Sequence, residues 1–96
     1  MTGKRNAFYQ TLASIPEGHY TSYGQLAQLC GVHVRQIQAW LRTLPEGSTL
    51  PWYRVINGQR RISTHSGAQR QYQKLAEEGL LPEANGRFPQ AFHWPP

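Results

Sequence analysis

The sequence predicts a mainly α-helical single domain, spanning residues 1–96, in which a helix-turn-helix is followed by a short β-hairpin. Three observations predict this class. Apolar residues recur at helical spacing in four short segments. A glycine separates the second and third of these by only a tight turn. Asn57-Gly58 then stands between two short runs of strand-forming residues.

Taken in order, the first helix is expected over residues 4–14, because Phe8, Leu12 and Ile15 lie at i, i+4 and i+7. Pro16-Glu17-Gly18 ends it in a turn, and His19-Tyr20 forms an extended link. Thr21 or Ser22 caps a second helix over residues 23–29. Leu26, Leu29 and Cys30 supply its buried side, and Gly31 stops it. The third helix is expected over residues 33–44. Val34, Ile37, Leu41 and Leu44 give it a core face, while Arg35, Gln38 and Arg42 line a polar stripe. Such a stripe, on the second helix of a helix-turn-helix, is the natural surface to offer a nucleic acid. A loop at residues 45–48 leads to the expected hairpin, with strands at 53–56 and 60–63 around an Asn-Gly turn. Following a helix-turn-helix, that hairpin would be a wing, with Arg60 and Arg61 at its edge. The pattern turns helical again over residues 68–78 and stops at Gly79. In the tail, Phe92 and Trp94 are expected to cover the core.

Ten Lys and Arg against five Glu give a formal net charge of +5, which suits a polyanionic partner. The single cysteine, Cys30, excludes an internal disulfide and fits a reduced, intracellular setting, cytoplasmic and nucleoid-associated if the source is bacterial. No stretch approaches the ~18 apolar residues of a membrane span, and no signal peptide is expected. The four histidines are scattered without a Cys-x-x-Cys companion, so no metal and no cofactor are expected.

Three segments then make the sequence specific: Ile15-Pro16-Glu17-Gly18, Thr21-Ser22-Tyr23-Gly24-Gln25-Leu26-Ala27 and Pro51-Trp52-Tyr53-Arg54-Val55-Ile56. In this order and spacing they resemble the C-terminal, DNA-binding domain of the O6-alkylguanine-DNA alkyltransferases, a winged helix-turn-helix. In that family the third segment reads Pro-Cys-His-Arg-Val. Here Trp52 stands at the cysteine, a replacement that is the mark of the alkyltransferase-like proteins, and Tyr53 stands at the histidine that most members retain. The run from Leu44 to Ile56 looks especially like their bacterial members.

The resemblance implies a protein that binds double-stranded DNA carrying O6-alkylguanine and flips the damaged base into a pocket near Trp52. It would then mark the lesion for nucleotide excision repair proteins, acting as a monomer. Dealkylation needs a thiolate to attack the alkyl carbon. An indole supplies none, and Tyr53 is a poor base near neutral pH. Cys30, in an apolar helical context, reads as a core residue. The resemblance makes Tyr23 the residue that presses on the phosphate beside the flipped nucleotide. Arg35 becomes the finger that fills the hole in the stack, with Arg42, two helical turns on, as the alternative. Ser22, Val34, Gln38, Arg54 and Thr64 complete the expected DNA and lesion site. The family usually shows Gly-x-Pro-x-x-Ala-Arg before the recognition helix. Here Gly31-Val32-His33-Val34-Arg35 is two residues shorter and lacks the proline. Two other readings of the residues stand beside this one: a winged-helix regulator that reads sequence through the major groove, and an enzyme with residual alkyl transfer to another side chain.

Overall fold

The computed structural model describes residues 3–45 and 47–96. Glu46, within the loop expected at 45–48, lies outside the described residues, as do Met1 and Thr2. Among the described residues four helices, α1 (Lys4–Ala13), α2 (Tyr23–Cys30), α3 (Val34–Arg42) and α4 (Ala68–Glu77), surround a two-stranded sheet of β1 (Thr21–Ser22) and β2 (Val55–Ile56). Single 3-10 turns occupy Trp52–Arg54 and Gln90–Phe92.

The helix boundaries follow from local chemistry. Ser22 caps α2, its hydroxyl accepting a hydrogen bond from the Gln25 backbone N–H at 3.0 Å. Gly31 ends α2 at φ 69°, a left-handed conformation that a residue without Cβ adopts freely. With the family's proline missing, His33 caps α3 instead, its ring Nδ1 accepting from the Arg35 N–H at 3.1 Å. The shortened turn therefore still starts a regular helix, one residue before Arg35. Across the pair lies α1: Lys4 Nζ donates to the Gly31 carbonyl at 2.9 Å, and Arg5 reaches the Thr43 carbonyl at 3.2 Å. One helix thus holds the end of α2 and the end of α3 in register.

The main core gathers Phe8, Leu12, Ile15, Leu26, Ala27, Cys30, Ile37 and Val55, with Val34, Leu41, Leu44 and Trp94 packed at its margin. A second cluster of Tyr20, Ile56, Leu75, Leu80 and Phe88 sits beyond the sheet. Two expected core residues are not in either. Leu29 is 47% exposed, at the outer edge of the α2 stripe, and Phe92 is 41% exposed, edge-on to His19.

The expected β-hairpin wing is not formed. Val55 and Ile56 pair in parallel with Thr21 and Ser22, so the strand is spent on the first half of the chain. A type I′ turn needs positive φ at both central residues, yet Asn57 and Gly58 have none and Arg60 carries it instead, at 63°. The cause is the Asn57 side chain, whose Oδ1 accepts from the backbone N–H groups of Gln59 and Arg61. This local bonding competes with ladder formation and curls the segment into a loop. The tail, not a second strand, pairs with it: Phe88 N–H donates to the Arg60 carbonyl at 2.8 Å.

Thr21 is fully buried in β1, and its hydroxyl has no hydrogen-bond partner among the described residues. An unpaired buried hydroxyl costs stability that an isosteric methyl does not. Thr21→Val is therefore expected to raise the unfolding free energy by about 1 kcal/mol in urea denaturation. A loss of similar size would mean that the hydroxyl is bonded in solution.

Candidate nucleic-acid interface

A pocket of 350 Å³ opens between the second half of α3, the Trp52–Arg54 turn and the loop before α4. That lies inside the range of about 300–1,000 Å³ typical of small-molecule sites. Trp52, Leu41 and Val55 give it apolar walls, Tyr23 stands at the start of α2, and Gln38, Arg42, Ser63, Thr64, His65 and Gln71 line the remainder.

Of the residues expected at the site, the fold brings Tyr23, Gln38, Trp52 and Thr64 to this pocket. Ser22 is the α2 cap directly beside Tyr23. Arg35 is exposed in the first turn of α3, outside the pocket, with Val34 packed inward next to it. Arg42, at the last turn of the same helix, lies on the pocket wall.

Tyr53 and Arg54 line no part of the pocket, and the fold employs them behind it. Arg54 forms an ion pair with Glu78 at the end of α4, and its Nη1 donates to the Ile15 carbonyl at 2.8 Å. The two side chains are only 13% and 8% exposed. The same carboxylate accepts from the Tyr53 hydroxyl at 3.0 Å and from the Gly18 N–H at 2.9 Å. Two cations, Arg54 and Lys74, each lie 5.3 Å from the centroid of the Tyr53 ring. Burial would raise the Glu78 carboxyl, but hydrogen bonds from Arg54, Gly18 and Tyr53 outweigh it and hold the group below the usual carboxylate range. Burial, and then the hydrogen bond to Glu78, push the Tyr53 phenol above its ordinary value. Tyr53 is thus a proton donor at neutral pH and has no capacity to act as a base there.

Sequence reasoning missed Gln71 and Glu78. Gln71 is 2% exposed on α4, and its Nε2 donates to the carbonyls of Tyr53 at 3.1 Å and Val55 at 2.8 Å. Its Oε1 lies 2.9 Å from His65 Nε2. Because the amide nitrogen serves the two carbonyls, the oxygen must accept, so His65 carries its proton on Nε2. Nδ1 is then free to accept from the Gly67 N–H at 3.0 Å. The pocket rim and the Trp52 turn are locked to α4 by one side chain. The signal that finds Gln71 is a polar residue four positions before Leu75, on the apolar stripe of α4, where a buried amide must have partners.

Compared with known proteins, residues 4–80 match the family described as 6-O-methylguanine DNA methyltransferase, DNA binding domain. The Escherichia coli (strain K12) DNA base-flipping protein is 44% identical over 90 residues, covering 90% of this chain and 70% of that protein. Alkyltransferase-like protein 1 of Schizosaccharomyces pombe is 35% identical over 77 residues, covering 75% and 71%. Among solved structures, that of S. pombe Atl1 in complex with damaged DNA containing O6-carboxymethylguanine superposes with a TM-score of 0.81 at 29% identity, covering 97% of this chain and 95% of that one.

The Glu78 network sets a pH dependence. A carboxyl held below its unfolded value of 4.5 contributes stability above that value, and the contribution is lost as pH falls through the folded value. Unfolding free energy should therefore drop on acidification below about pH 5. Glu78→Gln is expected to be several kcal/mol less stable at pH 7, roughly 3–5 for a broken buried pair, and to show a flatter acid limb. An acid limb as steep in Glu78→Gln as in the parent would place the titration elsewhere.

Proposed function

Because this chain belongs to the 6-O-methylguanine DNA methyltransferase DNA-binding-domain family, as an alkyltransferase-like member, we propose that it binds duplex DNA carrying O6-alkylguanine and turns the damaged base into the pocket beside Trp52. The alkyl group stays in place, and the bound lesion is flagged for nucleotide excision repair proteins. The observation that carries this reading is the side chain at the pocket wall, an indole in the Pro51-to-Ile56 segment where dealkylation would need a thiol. Cys30, the sole cysteine, is buried in the core and lines no part of the pocket. Tyr53, bonded to Glu78, offers a proton and takes none.

The energetics favour the alkylated base over normal guanine. Extruding a base costs a few kcal/mol. Stacking on an aromatic face returns roughly 1–3 kcal/mol, and each alkyl methylene buried against Trp52 adds about 0.8 kcal/mol. Normal guanine gains only the first of these. In this reading Tyr23 and the capped N-terminus of α2 meet the phosphate beside the flipped nucleotide. Arg35 suits the finger because it projects from the first turn of α3, outside the pocket. A residue that fills the vacated stack must stand beside the extruded base, not under it. Arg42 is on the wall and would meet the base itself. The sensor acts as a monomer and, if its source is bacterial, works in the cytoplasm at the nucleoid.

A duplex with a fluorescent base analogue beside O6-methylguanine tests the flip, since emission rises when stacking is lost. The protein should raise the emission at saturation. Arg35→Ala should lower that rise and weaken lesion binding by about tenfold or more, with thermal unfolding unchanged. A normal response from Arg35→Ala together with a lost one from Arg42→Ala would move the finger to Arg42.

A further inference from the structure

We propose that Arg42 makes the pocket selective for O6 adducts bearing a negative charge, such as a carboxymethyl group, over neutral adducts of the same size. This rests on the reading of the pocket as the seat of the flipped base.

Arg42 carries the one permanent charge among the lining residues. No carboxylate among the described residues shares the pocket with it, and the ion pair found among them is the Arg54–Glu78 pair elsewhere. Two other polar lining groups are already committed. The Gln71 amide is spent on two backbone carbonyls and His65, and both His65 ring nitrogens are bonded. The polar groups left to meet an adduct are Arg42, Gln38, Ser63, Thr64, the Tyr23 hydroxyl and the Trp52 indole N–H, all of which can donate. A donor-rich lining that includes Arg42 and no carboxylate calls for an acceptor. A carboxylate on a single methylene is that acceptor: it is ionised at neutral pH and matches the planar fork of arginine. Once a base fills the mouth, water is displaced and the attraction strengthens.

A cation near DNA has a simpler use, as a phosphate contact, and the two roles separate experimentally. A phosphate contact contributes equally to every duplex. A contact to the adduct changes the ratio between duplexes. Three matched duplexes carrying guanine, O6-carboxymethylguanine or its neutral isostere O6-carbamoylmethylguanine are titrated at one fixed salt concentration. The parent protein is expected to prefer carboxymethyl over carbamoylmethyl by about five- to tenfold, the advantage of a charge-assisted over a neutral hydrogen bond. In Arg42→Gln the ratio should fall to one or below, because surrounding phosphates disfavour an added negative charge. Arg42→Lys, which keeps the charge and loses the fork, should lie between. Both substitutions are on an exposed helical position, and a ratio measured on one protein needs no correction for its overall affinity. A parent ratio of one, or a ratio unchanged in Arg42→Gln, overturns the proposal while leaving lesion binding intact. A parent that binds guanine as tightly as either adduct overturns the pocket reading, and this inference with it.

Discussion

The Glu78 carboxylate holds together three segments that no local structure would bring into contact. It accepts from Gly18 at the turn after α1, from Tyr53 and from Arg54, and Arg54 in turn reaches the Ile15 carbonyl. The geometry of the Trp52 turn depends on this. A single 3-10 turn has almost no stability of its own, since its few hydrogen bonds are poorly aligned. Its residues keep one orientation because Glu78 fixes the side chains behind it and Gln71 fixes the carbonyls of Tyr53 and Val55. Both anchors come from α4. Along one face of that helix Gln71 meets the pocket and Leu75 the second core cluster. Trp52 is therefore presented on a braced loop, and a braced aromatic wall loses little entropy when a base stacks on it.

Under the proposed function, the same arrangement lets the residue in front of the ion pair differ without a change of fold. A buried Arg–Glu pair tolerates neighbours of many kinds provided its own hydrogen bonds are met. Tyr53 meets one of them with a phenol. The residue in front, Trp52, contacts Tyr53 edge-on at 5.8 Å and is otherwise open to the pocket. The large aromatic at Trp52 gives apolar surface to a site that remains concave. Under the proposed function, this concave site receives a planar base in the place where a reaction centre would stand.

The helices were legible because their signals are local. Ser22 as a cap and Gly31 as a stop need only their own backbone neighbours, and Phe8, Leu12 and Ile37 fall on stripes whose burial follows from period alone. Leu29 shows the limit of that rule: it adjoins Leu26 on the stripe but lies at its edge, where nothing packs. The hairpin failed for a different reason. Asn57-Gly58 predicts a turn type on the assumption that two strands flank it, and the Asn57 side chain bonded the loop to itself while Val55 and Ile56 found β1, more than thirty residues back. At the site, Tyr23 and Trp52 were readable from the motif that contains them. Arg54 was readable as a motif residue but not as half of an ion pair, because its partner is 24 residues away and spacing carries no trace of it. Gln71 and Glu78 are long-range in the same sense, and only the fold reveals what they hold.

The central claim, a receptor for alkylated guanine that does no chemistry on it, is most directly tested by titrating the protein against two matched duplexes at one salt concentration. One carries a single O6-methylguanine and the other guanine, and the intact mass of the protein is recorded before and after. Clear preference for the lesion with unchanged mass is the expected result. Equal affinity for both duplexes, or a mass increased by one methyl group, would contradict it.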